Sequence, residues 1–321
     1  MKQYEVAIVG GGPAGLSAAL VLGRACRDVA VIDAGTPRNS ASPGVHGFLS
    51  RDGILPADLK KISREQIAHY PGVTFIDQPV RHVRAKNNGL LPRRGFRITL
   101  NGGETLDAQS VILATGMIDE LPDLPGFEQH WGQQVFHCPY CHGFENRGTR
   151  WGVLAKDVDD VEQARNYRSW TDKLTVFADR RLLISKLLLE SLASRNIAVD
   201  RRPIRQLTSS DDGNLRAVEM QDGTQVPCEA IVYQPRQQHT GIVIDTGVAL
   251  SANGRVWIDR HYETSIPGIF AAGDLAPGCQ DALASAAEGA KAAKSTLGSL
   301  ELDAAYPTLQ AGWESERRAS R

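Results

Sequence analysis

Two cysteines separated by two residues, Cys138 and Cys141, form the most chemically specific feature of the sequence. A C-x-x-C spacing brings two sulfurs within reach of a disulfide and commonly makes one thiol a good attacking group by lowering its pKa. Histidines flank the pair at His137 and His142. Because histidine ordinarily titrates near neutral pH, His142 is a candidate proton carrier during thiol exchange. The pattern predicts a redox-active cysteine pair with a neighbouring base.

Half of a zinc site is the alternative interpretation of the same spacing. A zinc site needs two further ligands. Cys26, Cys228 and Cys279 each stand alone, and the sequence has no second C-x-x-C and no paired histidine spacing. We therefore favour the redox pair and expect no metal. An odd total of five cysteines also fits a reducing compartment better than a disulfide scaffold.

A glycine-rich turn near the N-terminus carries the second chemical signal. Gly10, Gly12 and Gly15 match G-x-G-x-x-G between an apolar segment, 4–9, and an Ala/Leu-rich segment. Asp33 follows about 20 residues downstream, as the dinucleotide-binding fingerprint requires. Glycines let backbone amides approach a pyrophosphate at a helix N-terminus, and the acid can accept hydrogen bonds from a ribose. The order of strand, glycines, helix and acid predicts a dinucleotide site.

The elements that position these groups alternate between strands and helices, which is typical of an α/β protein. A polar helix over 56–70 and three strands, at 73–76, 80–84 and 96–100, predict a small antiparallel layer. Buried strands over 109–114 and 268–272 each end in small residues.

Between those two buried strands lies a segment with its own β and α signals, including helices near 159–170 and 182–195, which predicts a second α/β unit inserted into the first. The predicted domains are 1–118 with 246–321, and 119–245. An Asn-Gly pair at 253–254 predicts a hairpin turn. An Ala-rich helix over 281–297 is followed by a polar tail that holds Tyr306 and Trp313.

Length and composition limit the classes of protein. A chain of 321 residues with 42% hydrophobic and 23% charged residues is typical of a globular protein of two domains. The formal net charge of -1 provides no excess to hold nucleic acid or anionic lipid. No apolar run approaches the roughly 18 residues of a membrane span, and the N-terminus lacks the features of a signal peptide. We expect a cytoplasmic enzyme.

Two further motifs, Ala114-Thr115-Gly116 and Gly273-Asp274 before an Ala-rich helix, complete a resemblance to a known family. Together with the glycine fingerprint of the first domain and the C-x-x-C in an inserted domain, they resemble the low-molecular-weight thioredoxin reductases over nearly the whole chain. The resemblance implies two Rossmann-like, three-layer ββα domains of the FAD/NAD(P)-binding type, and a homodimer. It implies that FAD is bound in the first domain by Gly10, Gly12, Pro13, Ala14, Gly15, Asp33, Ala114, Thr115, Gly116, Gly273, Asp274, Asp281 and Ala282, with Arg38, Asn39 and His46 as further candidates.

The same resemblance assigns roles to the cysteines. Cys141 would face the flavin, and Cys138 would exchange with the disulfide or dithiol of a substrate. Family members usually carry an acid directly after the second cysteine, where this chain has His142. The string from Cys138 to Glu145 resembles more closely the dithiol oxidases that close disulfides in sulfur-containing metabolites.

The second nucleotide site of the family is altered. Where NADPH needs glycines, residues 155–160 read Ala-Lys-Asp-Val-Asp-Asp, with three carboxylates near the expected pyrophosphate. The usual His-Arg-Arg that binds the 2′-phosphate is only partly preserved, as Asp179-Arg180-Arg181. We therefore expect electron exchange between flavin and the cysteine pair without NADPH.

Several electron partners remain open. A dithiol with oxygen as the final acceptor, a ferredoxin-like carrier that feeds reduction of a thioredoxin-like protein, or a second bound flavin would each serve. Tyr306 or Trp313 could stack on such a flavin. A conventional NADPH-dependent thioredoxin reductase and a non-enzymatic, flavin-binding redox sensor are the alternatives.

Overall fold

A computed structural model describes residues 2–86 and 95–319, with side chains described as far as residue 302. The strands are β1 (Lys2–Val9), β2 (Val29–Ile32), β3 (Val73–Ile76), β4 (Val80–Ala85), β5 (Phe96–Leu100), β6 (Thr105–Leu113), β7 (Met117–Glu120), β8 (Val135–Phe136), β9 (Arg150–Ala155), β10 (Lys173–Ala178), β11 (Ile197–Asp200), β12 (Ile204–Ser209), β13 (Leu215–Met220), β14 (Gln225–Pro227), β15 (Ala230–Val232), β16 (Arg236–His239) and β17 (Ile269–Ala271). The helices are α1 (Pro13–Arg24), α2 (Pro56–Ile67), α3 (Phe127–His130), α4 (Pro139–His142), α5 (Val158–Gln163), α6 (Lys186–Ala193), α7 (Gly241–Thr246) and α8 (Ala282–Ala319), and a 3₁₀ turn covers Ala164–Ser169.

The chain divides into two units by its contacts. The first comprises Met1–Arg38, Ala57–Ile118 and Gln238–Arg321, and the second comprises Asn39–Pro56 and Asp119–Gln237. This division differs from the predicted one in two places, since the second unit also takes 39–56 and the return to the first begins at 238 rather than 246. The composition of segment 39–56 does not show which unit it belongs to. Its place in the second unit follows from contacts with residues that are distant in the sequence.

The sheet of the first unit is a parallel layer, β3-β2-β1-β6-β17, with β5 and β4 added antiparallel along the first half of β6. The predicted antiparallel layer is therefore wrong for β3, which pairs in parallel with β2. The parallel pairing is possible because α2 lies between β2 and β3 in the chain and carries it back across the sheet before β3 begins. The hydrophobic pattern of β3 alone could not show whether it pairs with β2 or with the strands that follow it.

Both faces of this sheet are buried. In β1, Val6 and Ile8 pack on the side of α1 and α8, whereas Ala7 and Val9 pack into a separate apolar cluster on the opposite face. Continuous apolar strands are expected wherever a parallel sheet is covered on both faces. The carboxyl ends of β1, β6 and β17 consequently form a rigid edge from which the glycine motifs leave the sheet.

Close packing of α1 against α8 fixes the elements around that edge. A Cβ added at Gly289 of α8 would lie only 1.9 Å from the carbonyl oxygen of Ala14 in α1. The start of α8 is thereby held beside the glycine turn. The predicted final helix extends to Ala319, so the expected tail continues the helix rather than leaving it. The side chains of Tyr306 and Trp313 lie outside the described residues.

The second unit contains a parallel sheet, β11-β10-β9-β15-β8, and an antiparallel sheet, β12-β13-β14. The helix predicted over 159–170 is α5 followed by the 3₁₀ turn, and the helix predicted over 182–195 is confined to α6. Ser185 starts α6 later than expected because its hydroxyl caps the amide of Leu188 at 3.2 Å. In the described part of the chain, no helix combines the length and hydropathy needed to cross a bilayer.

Candidate functional site

The glycine turn between β1 and α1 contains glycines required for two different reasons. Gly10 has φ +113°, and a Cβ there would lie 2.1 Å from the carbonyl oxygen of Ala114. A Cβ at Gly15 would lie 1.9 Å from the carbonyl oxygen of Gly10. A Cβ at Gly12, by contrast, would meet no protein atom within 4 Å. Gly10 and Gly15 therefore serve the packing of the protein, whereas the space beside Gly12 is open to a ligand.

Helix α1 begins directly after this opening. Pro13 occupies its first turn, and within the described residues no side chain caps the amides that follow Gly12. Amides at a helix N-terminus attract phosphate through their unsatisfied N–H groups and the helix dipole. The turn from Gly10 to Gly15, including Pro13 and Ala14, thus fits the pyrophosphate of a dinucleotide.

Asp33 stands at the end of β2, beside the glycine turn. Burial raises the pKa of its carboxyl, but an ion pair with Lys60 and the amides of Gly11 and Gly35 outweigh burial and lower that pKa overall. The side chain is consequently an ionised acceptor. A Cβ at Gly11 would lie 2.7 Å from the carboxyl carbon of Asp33, so the acid directly adjoins the turn. This placement suits a ribose hydroxyl.

The residues after β6 continue the same edge. Ala114 donates its amide hydrogen to the carbonyl of Val9 at 2.8 Å, and the hydroxyl of Thr115 accepts from that of Thr240 at 3.2 Å. Gly116 has φ +65°, and a Cβ there would meet no protein atom within 4 Å. The Ala-Thr-Gly motif thus leaves the sheet beside the first glycine turn.

The Gly-Asp motif after β17 anchors one of the weaker candidates. Gly273 has φ +85°, and the carboxylate of Asp274 accepts from Arg38 Nη1 at 3.2 Å and from the hydroxyl of Ser285 at 3.2 Å. Arg38 is therefore brought to the predicted cofactor residues by Asp274.

The start of α8 is formed by the predicted pair Asp281 and Ala282. A carboxylate oxygen of Asp281 accepts from the amide of Ala284 at 2.6 Å, which caps the helix. Glu288 was not predicted to belong to this site, but its carboxylate accepts from the amide of Gly273 at 2.9 Å. Burial raises the pKa of Glu288, and the negative charge of Asp274 adds to this effect. No local motif distinguishes this glutamate from any other helical acid.

The cysteine pair forms a disulfide at the start of α4. Cys138 and Cys141 are joined, with their Cα atoms 5.2 Å apart, and the sulfur of Cys138 accepts from the amide of Cys141 at 3.1 Å. An N–H that donates to a sulfur stabilises the thiolate when the disulfide is reduced. The arrangement favours Cys138 as a leaving group in thiol exchange.

His142 follows Cys141 directly in the chain and is 8% exposed. Burial lowers the pKa of the ring, and the backbones of Cys138 and Gly132 act in the opposite sense without outweighing it. The ring stacks on Phe136 at 5.3 Å between centroids, and Nε2 lies 3.2 Å from the hydroxyl of Ser42. His142 is thus a fixed, neutral imidazole at neutral pH, which is the form that accepts a proton.

Asn39 and His46 group with the second unit, unlike the other predicted cofactor residues. His46 Nε2 lies 3.6 Å from the carboxylate of Glu145, and Nδ1 lies 3.8 Å from that of Asp52. One contact of His46 is therefore with Glu145, which follows the cysteine pair, and the other is with Asp52 of its own loop. A contact of Asn39 or His46 with FAD stays a prediction.

Aromatic side chains support the turn that carries the disulfide. Phe136 meets Trp151 edge to face at 5.4 Å, Trp151 stacks on Trp170 at 6.2 Å, and Trp170 meets Tyr140 edge to face at 5.2 Å. Tyr140 itself is 83% exposed. Rings from three other parts of the chain, Phe136, Trp151 and Trp170, thus form a connected cluster that reaches Tyr140 of α4, and Tyr140 lies between the two cysteines in sequence with its side chain exposed. No local motif indicates this support, because its members are far apart in the chain.

In the turn between β9 and α5, residues 155–160, side-chain carboxylates accept hydrogen bonds from the backbone amides of the turn itself. A carboxylate oxygen of Asp157 accepts from the amide of Asp160 at 3.0 Å, and Asp160 accepts from the amide and the ammonium of Lys156, at 3.0 Å and 2.9 Å. Asp160 is only 5% exposed. Carboxylates hence occupy hydrogen bonds that a pyrophosphate would need.

The partly preserved arginine motif is also engaged internally. Arg181 forms an ion pair with Asp179 at 2.8 Å, and Asp179 caps the amide of Arg181 at 2.7 Å. Arg201 donates to the backbone carbonyls of the same loop, at Asp179, Arg180 and Leu182. The loop is held by these contacts without a 2′-phosphate.

Known proteins resemble this chain over most of its length. A family model described as pyridine nucleotide-disulphide oxidoreductase matches residues 4–293. The thioredoxin reductase sirT of Leptosphaeria maculans is 32% identical over 289 residues, which are 85% of this chain and 87% of that protein. The thioredoxin reductase aclD of Aspergillus oryzae is 31% identical and covers 94% of this chain and 97% of its own.

Solved structures agree with these relatives. The crystal structure of HlmI superposes with a TM-score of 0.89 at 33% identity, and covers 98% of this chain and 97% of that one. The structure of a putative thioredoxin reductase, TrxB from Bacillus anthracis, gives a TM-score of 0.86 at 29% identity, over 93% of this chain and 98% of its own. The predicted α/β architecture with Rossmann-like domains is confirmed by this agreement.

Proposed function

The chain belongs to the pyridine nucleotide-disulphide oxidoreductase family and is a thioredoxin reductase-like, flavin-dependent disulfide oxidoreductase; from this premise we propose that it binds FAD and oxidises a dithiol substrate through Cys138 and Cys141 without NADPH. The observation that carries the proposal is the disulfide placed directly before a buried, neutral His142. A dithiol loses two protons when it is oxidised, and a neutral imidazole can accept one of them.

The residues proposed to hold FAD fit that cofactor. The open space at Gly12 adjoins the first turn of α1, and the ionised Asp33 adjoins the same turn. Asp274 and the start of α8 lie on the same edge of the first unit. Bound FAD would supply a store for two electrons.

The exchange chemistry follows from the cysteine geometry. A substrate thiol gives its proton to His142, and the thiolate attacks the sulfur of Cys138; the bond between Cys138 and Cys141 breaks, and Cys141 leaves as a thiolate. The second substrate thiol then passes its proton to the Cys141 thiolate and attacks the first substrate sulfur, which closes the substrate disulfide and releases Cys138 as a thiolate. The amide of Cys141, 3.1 Å from that sulfur, stabilises the departing thiolate. The substrate is oxidised by two electrons, and the protein disulfide becomes a dithiol.

The independence from NADPH is supported by the corner after β9. Lys156, Asp157 and Asp160 form hydrogen bonds with one another and with the local amides. Asp157 and Asp160 are negatively charged, as a phosphate is. A pyrophosphate placed there would displace these bonds and meet carboxylates, which costs free energy on both counts. Oxygen is the acceptor that we propose for the electrons after they leave the cysteine pair.

An anaerobic titration tests this function. Purified protein is mixed first with NADPH, then with reduced ferredoxin and then with dithiothreitol, and the absorbance of the flavin is recorded after each addition. We expect bleaching by dithiothreitol alone, and we expect Cys141→Ser to hold FAD without being bleached. Cys279→Ser is the matched control, because Cys279 is an exposed free cysteine and should leave bleaching intact.

Other outcomes of the titration identify the alternatives. Bleaching by micromolar NADPH would establish a conventional reductase and overturn the proposal. Bleaching by reduced ferredoxin alone would indicate that electrons flow from the flavin to a disulfide substrate, which is opposite to the proposed direction. Consumption of many equivalents of dithiol in air separates an enzyme from a redox sensor, which would cycle once per oxidising pulse.

A further inference from the structure

Ser42 occupies a defined position between the backbone and the imidazole of His142. Its hydroxyl lies 2.7 Å from the carbonyl oxygen of Gly44 and 3.2 Å from His142 Nε2. A carbonyl oxygen can only accept, and a serine hydroxyl carries one hydrogen. The hydroxyl hydrogen is therefore committed to Gly44, and the oxygen of Ser42 must accept from His142.

This hydrogen-bond arrangement determines the tautomer of the ring. If Ser42 accepts, then Nε2 carries the hydrogen of the neutral imidazole and Nδ1 carries the lone pair. Nδ1 is buried and makes no hydrogen bond within the described residues. Burial also keeps the ring from being protonated at both nitrogens.

We propose that Ser42 is a positioning residue that holds His142 as the Nε2–H tautomer, so that Nδ1 is the atom that accepts the substrate proton. This inference rests on the proposed dithiol oxidation. When Nε2 donates to Ser42, the lone pair on Nδ1 is where the neutral ring can take up a proton. On protonation the ring keeps its bond to Ser42 through Nε2, and the backbones of Cys138 and Gly132 favour the protonated ring.

The charged neighbours of the ring do not supply this orientation. His46 disfavours the protonated ring and Glu145 favours it, and both act through charge. His46 is itself placed between Glu145 and Asp52. Among the described residues, the hydroxyl of Ser42 is the side-chain group in hydrogen-bond contact with Nε2. The stack on Phe136 holds the plane of the ring, whereas the hydrogen at Nε2 is met by a loop residue 100 positions away in the sequence.

Two variants and one control test the proposal in the FAD-loaded protein. Ser42→Ala removes the acceptor, whereas Ser42→Thr keeps a hydroxyl at the same place. Ser63→Ala is the control, since the hydroxyl of Ser63 also donates to a carbonyl, that of Leu59, but contacts no histidine. Nitrogen-15 NMR of labelled histidine gives the tautomer of His142, assigned by its loss in His142→Gln. Stopped-flow bleaching by dithiothreitol gives the rate and its dependence on dithiol concentration.

We expect the Nε2–H form in the wild type, in Ser42→Thr and in Ser63→Ala, and a loss of that form in Ser42→Ala. The limiting rate of bleaching should fall about tenfold in Ser42→Ala, with little change in half-saturating dithiol, because general bases contribute larger factors of which orientation is one part. An Nδ1–H wild type, an unchanged tautomer in Ser42→Ala, or a threonine variant as slow as the alanine variant would overturn the proposal. A wild type that dithiothreitol fails to bleach would instead refute the proposed function, and the NMR comparison would still decide the tautomer.

Discussion

At the scale of single residues, the site depends on groups whose charge state is set either by burial or by the charges and amides that face them. His142 is kept neutral by the apolar surroundings of α4 and the ring of Phe136. Asp33 stays ionised in spite of burial, because Lys60 and two amides face it. A neutral base beside the cysteines and an anionic acceptor beside the glycine turn are the states that dithiol oxidation and ribose binding need.

The lowered pKa of His142 makes stability depend on pH. In the unfolded chain the ring takes up a proton as the pH falls through its ordinary value of 6.5, whereas the folded protein takes it up only at lower pH. The unfolded state then binds more protons, so the free energy of unfolding falls as the pH decreases below 6.5. We expect urea unfolding between about pH 7 and pH 5 to show a smaller loss of stability in His142→Gln than in the wild type.

The control for this measurement is His69→Gln, because His69 is exposed on the surface at the end of α2. It should reproduce the pH dependence of the wild type. A variant at His142 whose unfolding free energy followed the wild-type pH profile in parallel would contradict a buried, neutral ring.

Residue types could be predicted where a motif fixes them. The cysteine pair, the glycine turn and Asp33 follow from spacing, because a single turn joins the cysteines and a single β-α-β unit brings Asp33 to the glycines. Ser42 and Glu288 were not found, since each meets its partner only after the chain has folded. His46 was assigned by its position after β2, whereas its contacts are with Glu145 and Asp52.

At the scale of elements, the turn between β9 and α5 satisfies its own amides with internal hydrogen bonds. Asp157 caps α5, and Asp160 closes a ring of hydrogen bonds with Lys156. The sequence predicted the loss of glycines and the excess of acids, but it could not predict that Asp160 would be buried. It likewise placed β3 with the wrong neighbours, because the pairing of a short strand depends on the connection that precedes it.

Replacement of Asp160 by asparagine tests whether this corner is structural. The amide keeps the size of the side chain but loses the charge-assisted bonds to the amide and the ammonium of Lys156. We expect the free energy of unfolding to fall by about 1–3 kcal/mol, as for other buried bonds to charged groups. Asp172→Asn is the control: Asp172 is 87% exposed in its ion pair with Arg168 and should change stability little. Equal unfolding free energies for the two variants, or NADPH binding gained by Asp160→Asn, would contradict a structural role.

At the scale of the whole molecule, the first unit is built around an edge to which separated parts of the chain contribute. Residues from the first 40 positions, from the end of β6 and from the start of α8 meet there because β1, β6 and β17 are adjacent parallel strands. Ligands of open α/β sheets bind at such carboxyl ends. A cofactor bound there would tie together segments that are more than 200 residues apart, so its binding should stabilise the unit as a whole.

FAD should therefore raise the stability of the folded protein by linkage. A ligand at 100 times its dissociation constant adds about 2.7 kcal/mol to the free energy of unfolding when the unfolded chain does not bind it. We expect protein stripped of FAD to melt at lower temperature and to recover when FAD is added. Gly12→Ala should melt like the stripped wild type and fail to respond to FAD, because its new methyl group meets no protein atom but enters the ligand space. Gly241→Ala, also at the start of a helix and in open space, should respond as the wild type does. A Gly12→Ala protein that is yellow and stabilised by FAD would show that this opening does not receive the cofactor.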